Sequence, residues 1–133
     1  MFGQNLFKEG GKYLTIVEGE CDAMAAYELL GSKWAVVSIK RGAGSAVKDV
    51  KESLEYVESF DNVVICFDKD KQGQEAAQKV ATILKPGKAK IVTLPNGYKD
   101  ANDMLKQSKH SEFTRAWWDA KVYTPSGIIQ VLD

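Results

Sequence analysis

In the stretch VVICFDKDKQG (63–73) an apolar run ends in two aspartates, Asp68 and Asp70, with Lys69 between them. In an extended chain residues two apart point to the same side, so these two carboxylates share a face. Like charges so close raise one another's pKa unless something positive relieves them. Other acids stand in comparable places. VEGECD puts Glu18, Glu20 and Asp22 directly after apolar YLTIV, and KDANDM puts Asp100 and Asp103 a turn after apolar AKIVTL. Oxygen ligands gathered without histidine or cysteine suit Mg²⁺, which keeps most of its water and uses a few carboxylates.

Each acid also has a plainer use. Asp70 can cap a helix beginning near Gln72, Asp22 can sit in the first turn of another, and Asp100 or Asn102 can cap a third. Capping gives no reason for Asp68 or Glu18, each at the end of a buried strand. The loop KRGAGS supplies Lys40, Arg41, Gly42 and Ser45 at a helix start. It has two readings, contact with a phosphate or a tight turn before Ser45 caps the next helix. No GK[ST] follows the glycines, so it is not a P-loop.

The elements that must position these residues alternate along the chain. YLTIV (13–17), WAVVS (34–38), NVVICF (62–67) and AKIVTL (89–94) read as short buried strands. Between them CDAMAAYELL (21–30), SAVKDVKESLEYVESF (45–60) and QEAAQKVATILK (74–85) carry apolar residues at helical spacing, as in Val47, Val50, Leu54 and Val57. Short helices follow around 102–107 and 112–119. Strand–helix alternation with continuous apolar strands implies an α/β fold with a parallel sheet covered on both faces. Such folds gather ligands outside the carboxyl ends of the strands, where this chain keeps its acids.

The whole-chain properties agree. At 133 residues, 44% hydrophobic and 27% charged, the chain is one ordinary globular domain. Eighteen basic and eighteen acidic residues cancel, which argues against a protein that coats nucleic acid but not against a locally charged site. The two cysteines, Cys21 and Cys66, form no CxxC pair, and Cys66 reads as a buried free thiol. No apolar stretch approaches a membrane span, so a cytoplasmic protein is expected. The single histidine, His110, lies outside every motif and reads as a surface residue.

A glutamate in VEGECDAMAA followed by FDKDKQG resembles the TOPRIM domain shared by primases and topoisomerases. FGQNLFKEGGKYLTIVEGECD, VVSIKRGAGSAVK, LPNGYKDANDML and YTPSGII further resemble the bifunctional primase-helicases of T-odd-type bacteriophages, related to Twinkle. The resemblance implies a Rossmann-like TOPRIM fold, a central parallel four-stranded sheet with helices on both faces. It implies that residues 1–12 trail from an upstream primase subdomain, that 13–120 form the TOPRIM domain, and that 121–133 lead toward a helicase domain. The implied activity is Mg²⁺- or Mn²⁺-dependent synthesis of short RNA primers from ribonucleoside triphosphates on a single-stranded DNA template. Glu18 then acts as metal ligand or general acid/base, Asp68 and Asp70 hold metal, and Asp22 and Asp100 are further acids near it. Lys40, Arg41, Gly42 and Ser45 would meet nucleotide or template phosphate, although Arg41 departs from the smaller or neutral residue expected there. The zinc module, upstream basic subdomain and helicase of that family have no counterpart in these 133 residues, so no primer synthesis is expected of the chain alone.

Two other readings remain open on the same residues. One is a TOPRIM nuclease or topoisomerase fragment, for which nothing marks any of the five tyrosines as a nucleophile. The other is a metal-binding TOPRIM-like module without catalysis.

Overall fold

The computed structural model describes residues 1–40 and 42–123; Arg41 and the segment 124–133, with the YTPSGII motif beyond Tyr123, lie outside the described residues. The strands are β1 (Tyr13–Val17), β2 (Ala35–Ser38), β3 (Asn62–Ile65), β4 (Ala89–Ile91) and β5 (Lys121–Val122). The helices are α1 (Glu20–Leu29), α2 (Ala46–Glu52), α3 (Leu54–Glu58), α4 (Lys71–Ile83), α5 (Ala101–Lys106) and α6 (His110–Trp118). One sheet runs in the order β2-β1-β3-β4-β5. The first four strands are parallel, as the alternation requires, with Leu14 beside Ala35 on one side and Val63 on the other.

The pleat sorts the strand residues onto two cores. Leu14, Ile16, Val37, Val63, Ile65 and Phe67 pack with Val50, Val57, Ala77 and Val80 of α2 to α4. Val17, Val36, Val64 and Cys66 pack on the other face with Ala26, Leu29, Met104, Phe113 and Trp117 of α1, α5 and α6. With both faces covered, every strand position favours an apolar residue, which explains the unbroken apolar runs. Thr15 and Ser38 are fully buried exceptions, and the Thr15 hydroxyl oxygen accepts the Trp117 indole N–H at 2.9 Å.

Two details differ from the sequence expectation. The helix expected over 45–60 is two helices, because Ser53 leaves the helical basin (φ −120°, ψ 28°). Its hydroxyl donates instead to Gln4 Oε1 at 3.0 Å, so the amino-terminal segment fixes the break. The sheet has a fifth strand, β5, antiparallel to β4 through Lys90–Val122 and Ile91–Lys121. A two-residue strand is too short to leave a periodic signal, and it falls in the segment expected to lead out of the domain. At the opposite edge Phe2 exchanges two backbone hydrogen bonds with Ser38, at 3.0 and 3.1 Å, so the chain start pairs with the last residue of β2.

The Thr15–Trp117 bond is testable. Thr15→Val preserves shape but leaves a buried N–H without an acceptor, which should cost about 1–3 kcal/mol in urea unfolding at an unchanged m-value. A loss well under that range would mean water or another acceptor reaches the indole.

Candidate metal centre

The strand order reverses between β1 and β3, since the chain leaves β1 toward β2 and then returns to its other side. A crevice opens at such a point outside the carboxyl ends of the strands. Glu18 follows β1 there, and Asp68 follows β3. The two are joined directly: the Asp68 backbone N–H donates to Glu18 Oε2 at 2.7 Å.

Three acids from three connections converge beside this pair. Asp22, Asp68 and Asp100, all half-buried, each bring a carboxylate oxygen within 4.8 Å of the other two. Two unit charges at that spacing repel by roughly 3 kcal/mol at an effective dielectric of about 20. Backbone donors hold the acids in place. Asn102 N–H donates to Asp22 Oδ1 at 3.0 Å, and Asp103 N–H to Asp100 Oδ1 at 2.8 Å. A set of three hard oxygens, without imidazole or thiolate and with one side open to water, fits a hydrated divalent cation.

The remaining expected residues are distributed around the cluster. Asp70 is exposed and caps α4, its Oδ1 accepting from Gly73 N–H at 2.7 Å. Asp100 both caps α5 and joins the cluster, so capping and ligation are not exclusive uses. Lys69 donates from Nζ to Asn96 Oδ1 at 3.0 Å. Lys40 is exposed at the end of the β2 connection. Ser45 occupies the N-cap position of α2 but makes no capping bond. Its hydroxyl lies instead 3.2 Å from Asp49 Oδ2 and 3.3 Å from the Gly42 carbonyl. His110 is exposed at the start of α6, Cys66 is a buried free thiol, and Cys21 is exposed. A groove of about 750 Å³ between β4 and α6, lined by Thr93, Pro95, Glu112 and Arg115 among others, includes none of the cluster acids. An ion that retains its water needs an open edge rather than a deep cavity.

Burial sets the electrostatics. It raises the Glu18 pKa from 4.5 to about 7, against the Asp68 N–H, which lowers it, and with Asp68, Asp70 and Asp22 raising it further. Asp22 rises to about 6, again through burial first, opposed by the Asn102 N–H and Lys99 and assisted by Asp100 and Asp68. Burial and Asp100 also raise Asp68, while Lys99 lowers it.

Three residues at the site carry no sequence expectation. Lys99 brings positive charge near Asp22 and Asp68. Gln74 donates from Nε2 to the Asp68 carbonyl at 2.9 Å. Gly73 is the one a close reading of the chain can find, because a glycine in the first turn of a helix gives up stability unless space demands it. A Cβ there would collide with the Asp68 carbonyl oxygen and lie 2.6 Å from Glu18 Oε2. The helix start is thus pressed against both acids.

Gly73→Ala should therefore destabilise the chain by about 1–3 kcal/mol, where an unhindered helix would gain about 0.5–1 kcal/mol from alanine. Urea unfolding gives the sign, and a more stable variant would remove the close approach. A second expectation concerns pH. The folded-state pKa values of Glu18 and Asp22 are raised, so the folded chain keeps protons that the unfolded chain has lost. Their contribution to stability is complete below the unfolded pKa values and is lost as pH rises through about 6 and about 7. In EDTA the melting temperature should fall between about pH 4.5 and about pH 7.5, and Glu18→Gln should flatten the fall. An equal fall in both proteins would place its origin elsewhere.

Known proteins are similar to the chain in sequence and in fold. The chain is 33% identical over 123 residues to the DNA helicase/primase of Enterobacteria phage T3, an alignment covering 92% of this chain and 21% of that protein. The chain thus spans about a fifth of that relative's length. The primase fragment of the bacteriophage T7 primase-helicase matches with 32% identity and a TM-score of 0.78, over 86% of this chain and 46% of that one. A chain in the structure of the T7 lagging-strand DNA polymerase with primase domains bound to an RNA/DNA hybrid and dTTP matches at 33% identity and a TM-score of 0.79, over 87% of this chain and 58% of that chain. Residues 15–105, more than half of the sequence, match the family described as Toprim-like, and the chain belongs to that family.

Proposed function

We propose that the chain is the catalytic Toprim part of a DNA primase, of the kind joined to a helicase, and that it serves Mg²⁺-dependent nucleotidyl transfer. The observation that carries this reading is the meeting of Asp22, Asp68 and Asp100 within 4.8 Å at the switch point, in a chain one-third identical to a phage helicase/primase. The products would be short RNA primers, made from ribonucleoside triphosphates on single-stranded DNA in the cytoplasm of an infected bacterium.

In this reading Asp22, Asp68 and Asp100 hold Mg²⁺, or Mn²⁺ in its place, and Asp70 and Glu18 complete the acidic shell. The ion would supply Lewis-acid charge to the reacting phosphate and the departing pyrophosphate. The chain's own residues orient and exchange protons. Glu18 steadies Asp68 through its backbone N–H, and its pKa of about 7 in the metal-free chain suits a group that accepts and returns a proton near neutrality. Asp70 fixes the turn out of β3 by capping α4. Lys40, Arg41 and Gly42 contact nucleotide or template phosphate, with Ser45 holding their loop. Residues 1–12 would continue an upstream primase subdomain, residues 13–120 form the domain, and residues 121–133 lead toward a helicase. A zinc module upstream would read the template.

Magnesium should raise the melting temperature of the chain, because a ligand bound only by the native state adds RT ln(1 + [L]/Kd). Asp22→Asn, Asp68→Asn and Asp100→Asn should each lose most of that rise, and Asp70→Asn, which keeps the cap, should lose less. In a complete primase-helicase, Glu18→Gln and Asp68→Asn should each lower primer synthesis about 100-fold or more. Undiminished synthesis by either variant would remove that residue from the chemistry, and a magnesium response in Asp22→Asn, Asp68→Asn and Asp100→Asn equal to that of the parent would overturn the metal assignment.

A further inference from the structure

Asp49 is a buried acid outside the metal cluster, only 5% exposed in α2. A carboxyl group is costly to bury unless its oxygens are satisfied. Here one oxygen, Oδ2, accepts the Lys40 backbone N–H at 2.6 Å and lies 3.2 Å from the Ser45 hydroxyl. Asp49 therefore ties together the two ends of the loop KRGAG and its closing serine. Between them Gly42 turns the chain at φ 84°, ψ −174°, a backbone region open almost only to glycine.

The braced loop stands at the rim of the acidic site. Ile39 N–H donates to the Val17 carbonyl at 3.0 Å, so the chain enters the loop level with the end of β1, next to Glu18. The turn Ala43–Ser45 packs against α4, the helix capped by Asp70. A groove of about 450 Å³ separates them, lined by Ala43, Gly44, Gln72 and Ala76 among others.

We propose that Asp49 is the positioning residue of a phosphate-contacting loop, holding its two ends, Lys40 and Ser45, so that the loop meets a phosphate group brought to the acidic edge. This rests on the role given to the loop under Proposed function. A negative group beneath such a loop opposes an anion, so what Asp49 contributes is geometry and not charge. Asparagine keeps an oxygen that can accept the Lys40 N–H and discards the charge; alanine discards both.

The test uses the 133-residue chain, its Asp49→Asn and Asp49→Ala variants, and two probes, inorganic tripolyphosphate and an oligothymidylate, with magnesium in excess. Amide hydrogen exchange reports the brace directly and should quicken across Lys40–Ser45 in Asp49→Ala only. The alanine variant should bind a phosphate probe about five- to tenfold more weakly, because an unbraced loop must be ordered on binding, while asparagine stays within about twofold of the parent or binds tighter. Loss confined to tripolyphosphate assigns the loop to the nucleotide, and loss confined to the oligonucleotide assigns it to the template. The rise in melting temperature with magnesium should be the same in all three proteins, so a failure of the metal centre is read separately from a failure of the loop. If alanine does not fold, serine, too short to reach the Lys40 N–H, takes its place. Unchanged loop exchange in the alanine variant, faster exchange with unchanged binding, or a parent that binds neither probe would each overturn the proposal.

Discussion

Carboxylates crowded at a half-buried sheet edge repel one another, and the rest of the site is arranged around that repulsion. Neighbouring carboxylates raise the pKa values of Glu18, Asp22 and Asp68, and burial weakens the hydration that would otherwise support the charge of these three. The counterweight is mostly backbone. The N–H groups of Asp68, Asn102, Asp103 and Gly73 each donate to one of these acids, to Asp70 or to Asp100. Charged hydrogen bonds of this kind are stronger than neutral ones, yet Glu18 still sits near 7 and Asp22 near 6. A divalent cation would supply the positive charge that the donors do not.

Most of those donors come from helix starts, which ties the electrostatics to the fold. Glu20 and Asp22 lie in the first turn of α1, and Asp70 and Asp100 are the N-caps of α4 and α5. Helix amino ends carry partial positive charge and unpaired N–H groups, so a parallel sheet that sends each strand into a helix delivers donors to the edge that holds the acids. The contact of Gly73 with Asp68 and Glu18 shows how little room is left there. A carboxylate cluster on mobile loops could relax apart; here the strands beneath it are buried on both faces and the helix starts press from above.

The capping and metal readings of the aspartates turn out to be compatible. One carboxylate has two oxygens, and Asp100 uses Oδ1 for the Asp103 N–H while remaining within 4.8 Å of its acidic neighbours. A cap also fixes the rotamer, which a ligand needs. Asp70 illustrates the opposite balance, with its carboxylate committed to Gly73 and its side chain exposed. Local chemistry alone does not rank the two, because both have the same acidic residue at the same helix start.

The sequence by itself determined the strand–helix alternation, the apolar strands, and the presence of acids after three of them. These are properties of neighbouring residues: burial on both faces demands continuous apolar runs, and the exits of the strands must be polar. The motifs around Glu18, Asp68 and Asp70 were sufficient for the family as well. Only the tertiary structure decided which acids meet. Asp22 and Asn102 are 80 positions apart, and their hydrogen bond depends on α1 and α5 packing side by side over one face of the sheet. The same holds for the Ser53 break, set by Gln4 at a distance of 49 residues, and for the Thr15–Trp117 bond across 102. Periodicity reports how a segment repeats along itself. It carries no information on which distant segment supplies the partner, and it is that partner that turns a set of scattered aspartates into one site.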